Sequence, residues 1–214
     1  MNIQRAQGFS LVELLVVLAI IGILGALIIP SINSVMRGSA LTQGAQKVLA
    51  EISLAHQTAL AQDAQVEVRF YRLAKAGMTG EVAGNPATGK YRAVQSFIYD
   101  SSGNATALDK VQWLPDSVIM NSSPTLSTLL GTTQAKSNWS TADPQVSLPA
   151  VGTAYTACAF DFQPDGSTTL NPIGQQWFVT VNTLAAGDNL RALPTNFEMF
   201  QVDPLNGHVQ SYRP

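Results

Sequence analysis

The chain has few of the residues on which catalysis and covalent cross-linking depend. Its 214 residues include one cysteine, Cys158, and two histidines, His56 and His208. A single cysteine cannot form an intrachain disulfide, and Cys158 is expected to be a small core residue. Neither a Gly-x-Ser-x-Gly nor a His-Glu-x-x-His pattern occurs. The sequence therefore predicts no catalytic residue, no metal and no cofactor, and we expect the protein not to be an enzyme.

Charged residues are also scarce. They make up 12% of the chain, and the formal net charge is −2. This balance does not provide the broad basic surface that neutralises a phosphate backbone, so a nucleic-acid partner is not expected. The one small basic cluster in the sequence consists of Arg69, Arg72 and Lys75. Four aspartates in or near predicted turns do not have the spacing of an EF-hand and are expected to be solvated: Asp161, Asp165, Asp188 and Asp203.

What the chain does have is one long apolar run near its start. Residues 14–29 contain no charged or strongly polar side chain. A helix over residues 9–29 would be about 30 Å long, which matches the hydrocarbon core of a bilayer. The eight residues ahead of the helix, 1–8, carry Arg5 and no acidic residue, and the positive-inside tendency keeps such an N-terminus in the cytoplasm. We expect residues 9–30 to cross a membrane once and the C-terminal part to be extracytoplasmic.

Glu13 stands at the beginning of this run, and three interpretations compete to explain it. A Sec signal peptide needs small residues at its cleavage site, and Ala26 near Gly25 offers only a poor one. In a plain single-pass anchor an acidic side chain costs roughly 2.5 to 3.5 kcal/mol at the helix centre and less near the interface. The third interpretation is an anchor with a cleaved leader that assembles with copies of itself, and it is the one that gives Glu13 a role.

A family resemblance supports the third interpretation. It is carried by Gly8-Phe9-Ser10-Leu11-Val12-Glu13-Leu14-Leu15-Val16-Val17-Leu18-Ala19-Ile20-Ile21-Gly22-Ile23-Leu24. This segment resembles the class III signal of type IV pilins and type II secretion pseudopilins at nearly every position. The resemblance implies that a prepilin peptidase cleaves after Gly8, which removes residues 1–8 as a leader. It also implies that the same enzyme methylates the new N-terminal residue, Phe9.

The same resemblance implies what the mature N-terminus does. Cleavage leaves an ammonium group on Phe9, four residues before Glu13. In the family, the matching glutamate pairs with the N-terminal amine of a neighbouring subunit, and an apolar surrounding strengthens such a pair when both partners are satisfied. Glu13 would then set the assembly register, with residues 9–30 in the filament core. Pro30 falls where the family has a proline and is expected to kink the helix.

A second helical pattern follows the apolar run over residues 31–65. Apolar side chains recur there at spacings of three and four: Leu41, Ala45, Val48, Ile52, Ala55 and Ala59. Such a stripe predicts an amphipathic helix whose apolar face lies on a globular core. His56 lies beside the stripe and is expected at the boundary of the core or at the surface.

From residue 66 the period changes to two, which is typical of strands. Glycine-containing turns separate most of the candidates, among them Asp165-Gly166 and Asn206-Gly207. The strands are predicted at residues 66–71, 91–99, 110–114, 117–120, 156–162, 167–170, 177–181, 197–202 and 208–212. The sequence therefore predicts an α+β, pilin-like fold. Its long N-terminal helix has a membrane half and an amphipathic half and packs on a mostly antiparallel β-sheet or sandwich domain over residues 66–214.

Two segments, residues 74–89 and 121–152, do not have a regular pattern. They are rich in small and polar residues and are longer than ordinary connections. Loops of this kind in an assembly subunit can contact partners, and composition alone is equally compatible with flexible filler.

The C-terminal part carries a second resemblance. Phe160-Asp161-Phe162-Gln163-Pro164-Asp165-Gly166-Ser167 leads into a predicted strand, and the chain closes with a hairpin around Val202-Asp203-Pro204-Leu205-Asn206-Gly207-His208-Val209. This looks like the H-type minor pseudopilins (the GspH and FimT group), whose β domains have an F-x-P-D-G turn and a closing V-x-x-x-x-G-x-V hairpin.

Together the two resemblances imply a structural subunit of a type II secretion pseudopilus or a type IV pilus-like filament. It would be held in the bacterial inner membrane until assembly, with its β domain in the periplasm. The implied partners are prepilin peptidase, other pilin or pseudopilin subunits, the inner-membrane assembly platform and, before assembly, membrane lipid. The alternative is a tip pilin that binds DNA or a surface ligand in uptake or adhesion.

Overall fold

A computed structural model of the chain describes residues 10–214, and the side chains of residues 25–34 lie outside the described part. The chain forms two compact units, Met1–Ser39 and Ala40–Pro214. One helix, α1 (Leu11–Gln62), contributes residues to both units. The predicted cleavage site at Gly8 and Phe9 lies outside the described residues.

The helix α1 ends at Gln62, three residues before the predicted boundary at 65. Asp63 has a φ of 50°, in the left-handed region that closes many helices. The amide of Ala64 donates to the carbonyl of Ala59 at 3.3 Å, which is the outer hydrogen bond of a Schellman motif. The helix therefore stops through its own backbone geometry, and the first strand begins four residues later.

The C-terminal part of α1 packs on the globular unit along the predicted apolar stripe. All six side chains of the stripe are fully buried in the main core: Leu41, Ala45, Val48, Ile52, Ala55 and Ala59. The amphipathic pattern was sufficient to predict this face because a helix at the surface of a domain buries one side only.

The rest of the globular unit is one ten-stranded sheet in which every pairing of named strands is antiparallel. The strand order is β10-β9-β8-β5-β2-β1-β7-β6, with β3 and β4 also pairing with β2. The strands are β1 (Val66–Leu73), β2 (Lys90–Tyr99), β3 (Ala105–Ala107), β4 (Gln112–Trp113), β5 (Val118–Met120), β6 (Ala135–Lys136), β7 (Tyr155–Phe162), β8 (Trp177–Thr183), β9 (Phe197–Val202) and β10 (Val209–Tyr212).

Both faces of the sheet are buried near its centre, which the alternating pattern of β1 did not predict. Val66, Val68 and Phe70 belong to the core that contains the α1 stripe. Tyr71 and Leu73, on the opposite face of β1, belong to a second apolar cluster with Leu148. Residues 139–151 therefore cover the face of the sheet that lies away from α1, whereas Leu129 and Leu130 belong to the core that contains the α1 stripe.

Two details of the strand prediction were wrong. Residues 167–170 make only an isolated bridge, between Thr168 and Phe162. The short strands β3 and β6 were not predicted, because two or three small or polar residues have no measurable period. The segment 121–152 also contains two turns of 3₁₀ helix, Thr128–Leu130 and Thr132–Gln134, so it is a folded cover with little periodic structure.

Candidate assembly site

The described part of the candidate site begins with the first turn of α1. The backbone amide of Ser10 donates to Oε2 of Glu13 at 2.9 Å, and the amide of Leu14 donates to the carbonyl of Ser10 at 3.1 Å. Ser10 and Glu13 thus have the Ser-x-x-Glu spacing of a capping box, in which the glutamate satisfies the amide of the N-cap residue. The carboxylate also lies at the positive end of the helix dipole. The sequence analysis had not recognised this local role of Glu13.

The side chains that follow Glu13 are exposed on every side of the helix. All described large apolar residues between Leu11 and Leu24 have exposed fractions between 47% and 79%. They are Leu11, Val12, Leu14, Leu15, Val16, Val17, Leu18, Ile20, Ile21, Ile23 and Leu24. A helix that is apolar all round is stable only where lipid or protein covers it.

The other predicted site residues, Gly8, Phe9 and Pro30, lie wholly or partly outside the described part of the chain. Gly8 and Phe9 lie outside the described residues, so the distance between the amine of Phe9 and Glu13 stays a prediction. Pro30 lies within α1, but its side chain is not described, and the kink stays a prediction. Among the residues described, no helix is both long enough and apolar enough to cross a bilayer.

The two C-terminal segments that carry the second resemblance meet at one residue of α1. The ring of His56 lies 5.1 Å from that of Phe162, and His56 is half-buried, as expected for a boundary residue. A Cβ on Gly207 would lie 2.9 Å from Nε2 of His56 and 2.5 Å from the carbonyl oxygen of Gly166. The F-x-P-D-G turn and the closing hairpin therefore pack on each other and on His56.

A backbone hydrogen bond also joins the segment after the F-x-P-D-G turn to the closing hairpin. The backbone amide of Thr168 donates to the carbonyl of Pro204 at 2.9 Å. Gly166 and Gly207 both have positive φ values, of 85° and 66°. A side chain at either position would be strained by the positive φ and would be too close to its neighbours, which explains why both turns have a glycine there.

Charged residues that the sequence analysis had not connected form a buried cluster on the sheet face away from α1. Arg69 pairs with Glu67 and Asp143, and Lys136 pairs with the same two carboxylates. The Arg69 side chain is fully buried, with its guanidinium 3.6 Å from the centroid of the Phe97 ring. Since Lys136 and Asp143 belong to the segment 121–152, the cluster fastens that segment to β1.

Asp161 lies beside this cluster and is not the solvated turn residue that the sequence predicted. It belongs to β7 and is directly opposite Glu67 of β1. Its Oδ1 is buried without a hydrogen-bond partner, and burial together with the charge of Glu67 raises the pKa of Asp161 to about 6. Asp161 therefore takes up a proton at a higher pH than an ordinary aspartate, because its charged form is buried opposite a second carboxylate.

Neither the Cys158 thiol nor the acidic and histidine side chains form a reactive or metal-binding site in the described residues. Burial raises the pKa of the Cys158 thiol, and the sulfur lies 3.1 Å from the hydroxyl of Tyr91. This is the reverse of the shift that activates a nucleophile, so Cys158 is a core residue as predicted. Within residues 10–214 no group of three or more histidine, cysteine or acidic side chains is arranged to hold a metal.

The small basic cluster of the sequence does not form a basic surface. Arg69 is buried in the ion-pair cluster, and Arg72 donates to the carbonyls of Gly89 and Ala87 at 3.0 and 2.8 Å. Lys75 pairs with Asp116. The alternation of side chains along β1 sends Arg69 and Arg72 to opposite faces of the sheet, so proximity in sequence did not produce a patch.

Comparisons with known proteins agree with the N-terminal resemblance. Residues 3–29 match the family model described as the prokaryotic N-terminal methylation motif. No curated protein matches the chain. Among solved structures, the type IV minor pilin FimU of Pseudomonas aeruginosa is similar at 12% identity, over 81% of this chain and 92% of that chain, with a TM-score of 0.42. The matched segment contains Gly8, Phe9 and Glu13, so the chain carries the prepilin-type methylation motif, and the N-terminal resemblance is confirmed over these residues.

Proposed function

We propose that the protein is a structural subunit, of the H-type minor pseudopilin kind, of a type II secretion pseudopilus or a type IV pilus-like filament. Prepilin peptidase cleaves it after Gly8 and methylates Phe9. Residues 9–30 hold it in the bacterial inner membrane, with the β domain in the periplasm, until the assembly platform transfers it to the filament. The methylation motif supports the processing, and the environment of α1 supports the assembly.

One observation carries this proposal: the apolar side chains from Leu11 to Leu24 are exposed all round the helix. Burying one such side chain contributes roughly 1.5–3 kcal/mol. Covering this half-exposed set therefore stabilises the protein by an amount on the order of 10 kcal/mol. Membrane lipid supplies this cover before assembly, and the helices of neighbouring subunits supply it afterwards.

The capping geometry adds a mechanism for Glu13. In the single subunit the carboxylate accepts a hydrogen bond from the amide of its own Ser10. Cleavage after Gly8 creates a charged amine one residue before that amide. Glu13 of a neighbouring subunit then binds the amine, and a charge-assisted contact is stronger than a neutral one in an apolar surrounding. The glutamate changes partner as the subunit leaves the membrane.

Mass spectrometry of the native protein tests the processing step. We expect an N-terminus at Phe9 with one added methyl group in the wild type, and an uncleaved chain when Gly8 is replaced by valine. Gly22→Val, in the apolar run and with nothing within 4 Å of its missing Cβ, is the control and should be processed normally. An intact Met1 in the native protein, or normal cleavage of the Gly8→Val variant, would contradict the proposal.

The alternative function, a tip pilin that binds DNA or a surface ligand, has less support. Its best basis in the sequence was the group Arg69, Arg72 and Lys75, and each of these side chains already has a partner within the domain. A titration of the full chain in detergent with labelled double-stranded DNA separates the two functions. Saturable binding that weakens steeply with salt would favour the alternative.

A further inference from the structure

The globular unit Ala40–Pro214 contains an open cavity at the C-terminal end of β1. Its volume is about 500 Å³. Arg72 of β1 lines it, between the two residues that pair with Arg72 in register, Tyr91 of β2 and Thr156 of β7. Residues of the segment 121–135 and the pair Asp188 and Asn189 complete the lining. A cavity of this size, built from several elements, is typical of a site for a small ligand.

Arg72 is the exception among the cations of the domain. Five other lysine and arginine side chains of the domain are buried or half-buried, and each of them pairs with a carboxylate: Arg69, Lys75, Lys90, Arg92 and Lys136. Arg72 is half-buried too, yet it forms no ion pair within residues 10–214. A charge that is partly removed from water is unfavourable without a counter-charge. The cavity therefore contains a cation that the domain itself does not neutralise.

The guanidinium of Arg72 is held in place and still has free donors. Its Nε donates to the carbonyl of Gly89 at 3.0 Å, and its Nη2 donates to that of Ala87 at 2.8 Å. Its Nη1 has no partner among the residues described and is not buried. Two backbone carbonyls thus fix the plane of the group without cancelling its charge. The N–H groups of Nη1 are available to an acceptor that enters the cavity.

The charge of Arg72 reaches the wall of the cavity. Burial raises the pKa of the Tyr91 hydroxyl and of the Cys158 thiol, and the positive charge of Arg72 opposes both shifts. Both side chains line the same cavity. An anion bound there would therefore lie within the field of the guanidinium.

The other charges of the lining balance each other. Lys90 pairs with Asp188 at 3.1 Å. Asp188 also accepts hydrogen bonds from the amides of Ser122 and Asn189, at 2.7 and 2.8 Å. Two cations and one carboxylate leave the lining with a single net positive charge, that of Arg72. This charge suits a monoanion such as a carboxylate better than a phosphate monoester, which carries about −1.5 to −2 at pH 7.

The remaining lining offers hydroxyl groups and an apolar surface. Thr132 and Thr156 are exposed, and their hydroxyls have no hydrogen-bond partner among the residues described. Pro124, Leu130 and Ala157 provide apolar contacts in the same cavity. Hydroxyls can donate to a carboxylate beside the arginine, and the apolar surface can cover an aliphatic chain.

We propose that this cavity binds a carboxylate on a short aliphatic stem, with the carboxylate at Nη1 of Arg72 and the stem against Leu130 and Ala157. A guanidinium is the side chain best suited to a carboxylate, because its N–H groups match the two carboxylate oxygens. The bound ligand would join the segment 121–135 to β1 and β7. The site goes beyond the proposed function and does not depend on cleavage at Gly8, so it can fail while the proposed function holds.

Equilibrium dialysis of radiolabelled pentanoate against the full chain in a non-ionic detergent tests the site, with detergent alone as the blank. We expect saturable binding that is about tenfold weaker in Arg72→Gln, which loses a charge-assisted hydrogen bond. Lys110→Gln removes the same charge from an exposed lysine outside the lining and should bind as the wild type does. An absence of saturable binding, or equal binding by the two variants, would overturn the proposal.

A second variant leaves the arginine in place, because Arg72 also holds the loop at Ala87 and Gly89. Ala135 is exposed and lines the cavity, so Ala135→Phe should obstruct it and weaken pentanoate binding by a similar factor. Circular dichroism checks that each variant is folded. Unchanged binding by a folded Ala135→Phe variant would overturn the proposal.

Competition identifies the ligand class. Unlabelled pentanamide has nearly the same shape as pentanoate but no charge, and it should not displace the label. Inorganic phosphate has the charge but no stem and should displace it only weakly. Displacement by pentanamide, or displacement by phosphate as effective as that by unlabelled pentanoate, would show that the cavity does not select a carboxylate on an aliphatic stem.

Discussion

The ring of His56 occupies the space that a side chain on Gly207 would need, since the missing Cβ of Gly207 would lie 2.8 Å from Cδ2 of His56. This contact joins α1 to the hairpin between β9 and β10. It explains why a glycine stands in the closing hairpin, both through its φ of 66° and through the close approach of the helix.

Gly207→Ala is therefore expected to destabilise the globular unit by about 2–4 kcal/mol, from strain at positive φ together with overpacking. Gly103→Ala is the matched control. Gly103 also has a positive φ, of 79°, but nothing lies within 4 Å of its missing Cβ. Chemical denaturation followed by circular dichroism should show the larger loss for Gly207→Ala, and equal losses would mean that the close approach of His56 and of the Gly166 carbonyl is not important.

The buried cluster around Arg69 gives a second prediction. Arg69→Met leaves Glu67 and Asp143 buried with one cation between them, which is expected to cost about 3–5 kcal/mol of the free energy of unfolding. Lys75→Met removes one cation from the exposed pair with Asp116 and is expected to cost less than about 1 kcal/mol. Limited proteolysis should also cut the Arg69→Met variant within residues 133–143 first. A similar small loss in both variants would contradict this role of the cluster.

Asp161 should make stability depend on pH in a defined direction. Its pKa is raised to about 6 from an ordinary value of 3.8, so the folded state binds more protons than the unfolded state between these values. This contribution is present at low pH and is lost as pH rises through about 6. Asp161→Asn should therefore be more stable than the wild type by about 1–3 kcal/mol at pH 7, and the difference should vanish near pH 3.5.

Asp165→Asn is the control for the pH measurement, and it should behave in the opposite way. Hydrogen bonds from Ser167 lower the pKa of Asp165, so its contribution is present above the ordinary pKa and is lost as pH falls. Thermal unfolding of the three proteins from pH 3.5 to 8 measures both effects. If the difference between Asp161→Asn and the wild type does not change with pH, the proposed titration of Asp161 is wrong.

A substitution at Glu13 separates its two roles. Glutamine can accept the hydrogen bond from the amide of Ser10 as glutamate does, because capping boxes use either residue. Glu13→Gln removes only the charge, so we expect normal cleavage and methylation but at least tenfold less subunit in sheared filaments. Glu13→Ala loses the cap as well and should show the same assembly defect. Normal assembly of Glu13→Gln would mean that the charge of Glu13 has no part in recognition.

Much of the fold could be predicted from the spacing of apolar residues within single segments. The stripe of α1 and the strands around Phe70, Phe160 and Phe200 were predicted because one repeated apolar face is enough to specify a helix or a strand. The predicted end of α1 was three residues too late because Asp63 adopts a left-handed conformation. The presence of an aspartate does not by itself predict this conformation. The burial of Arg69 was not predicted because Asp143, which pairs with it, and Lys136, which shares its carboxylates, lie more than sixty residues away in the sequence.

The prepilin-type methylation motif could be recognised from the amino-acid sequence alone, because its glycine, phenylalanine and glutamate stand at fixed spacing before an apolar run. The way in which the β domain closes depends on tertiary contacts that no local pattern predicted. The folded chain brings Gly166 and Gly207 next to His56, and it places residues 139–151 on the sheet face that also holds the buried side chain of Arg69. Contacts of this kind depend on which distant segments share a sheet face, and a periodic pattern carries information only about its own segment.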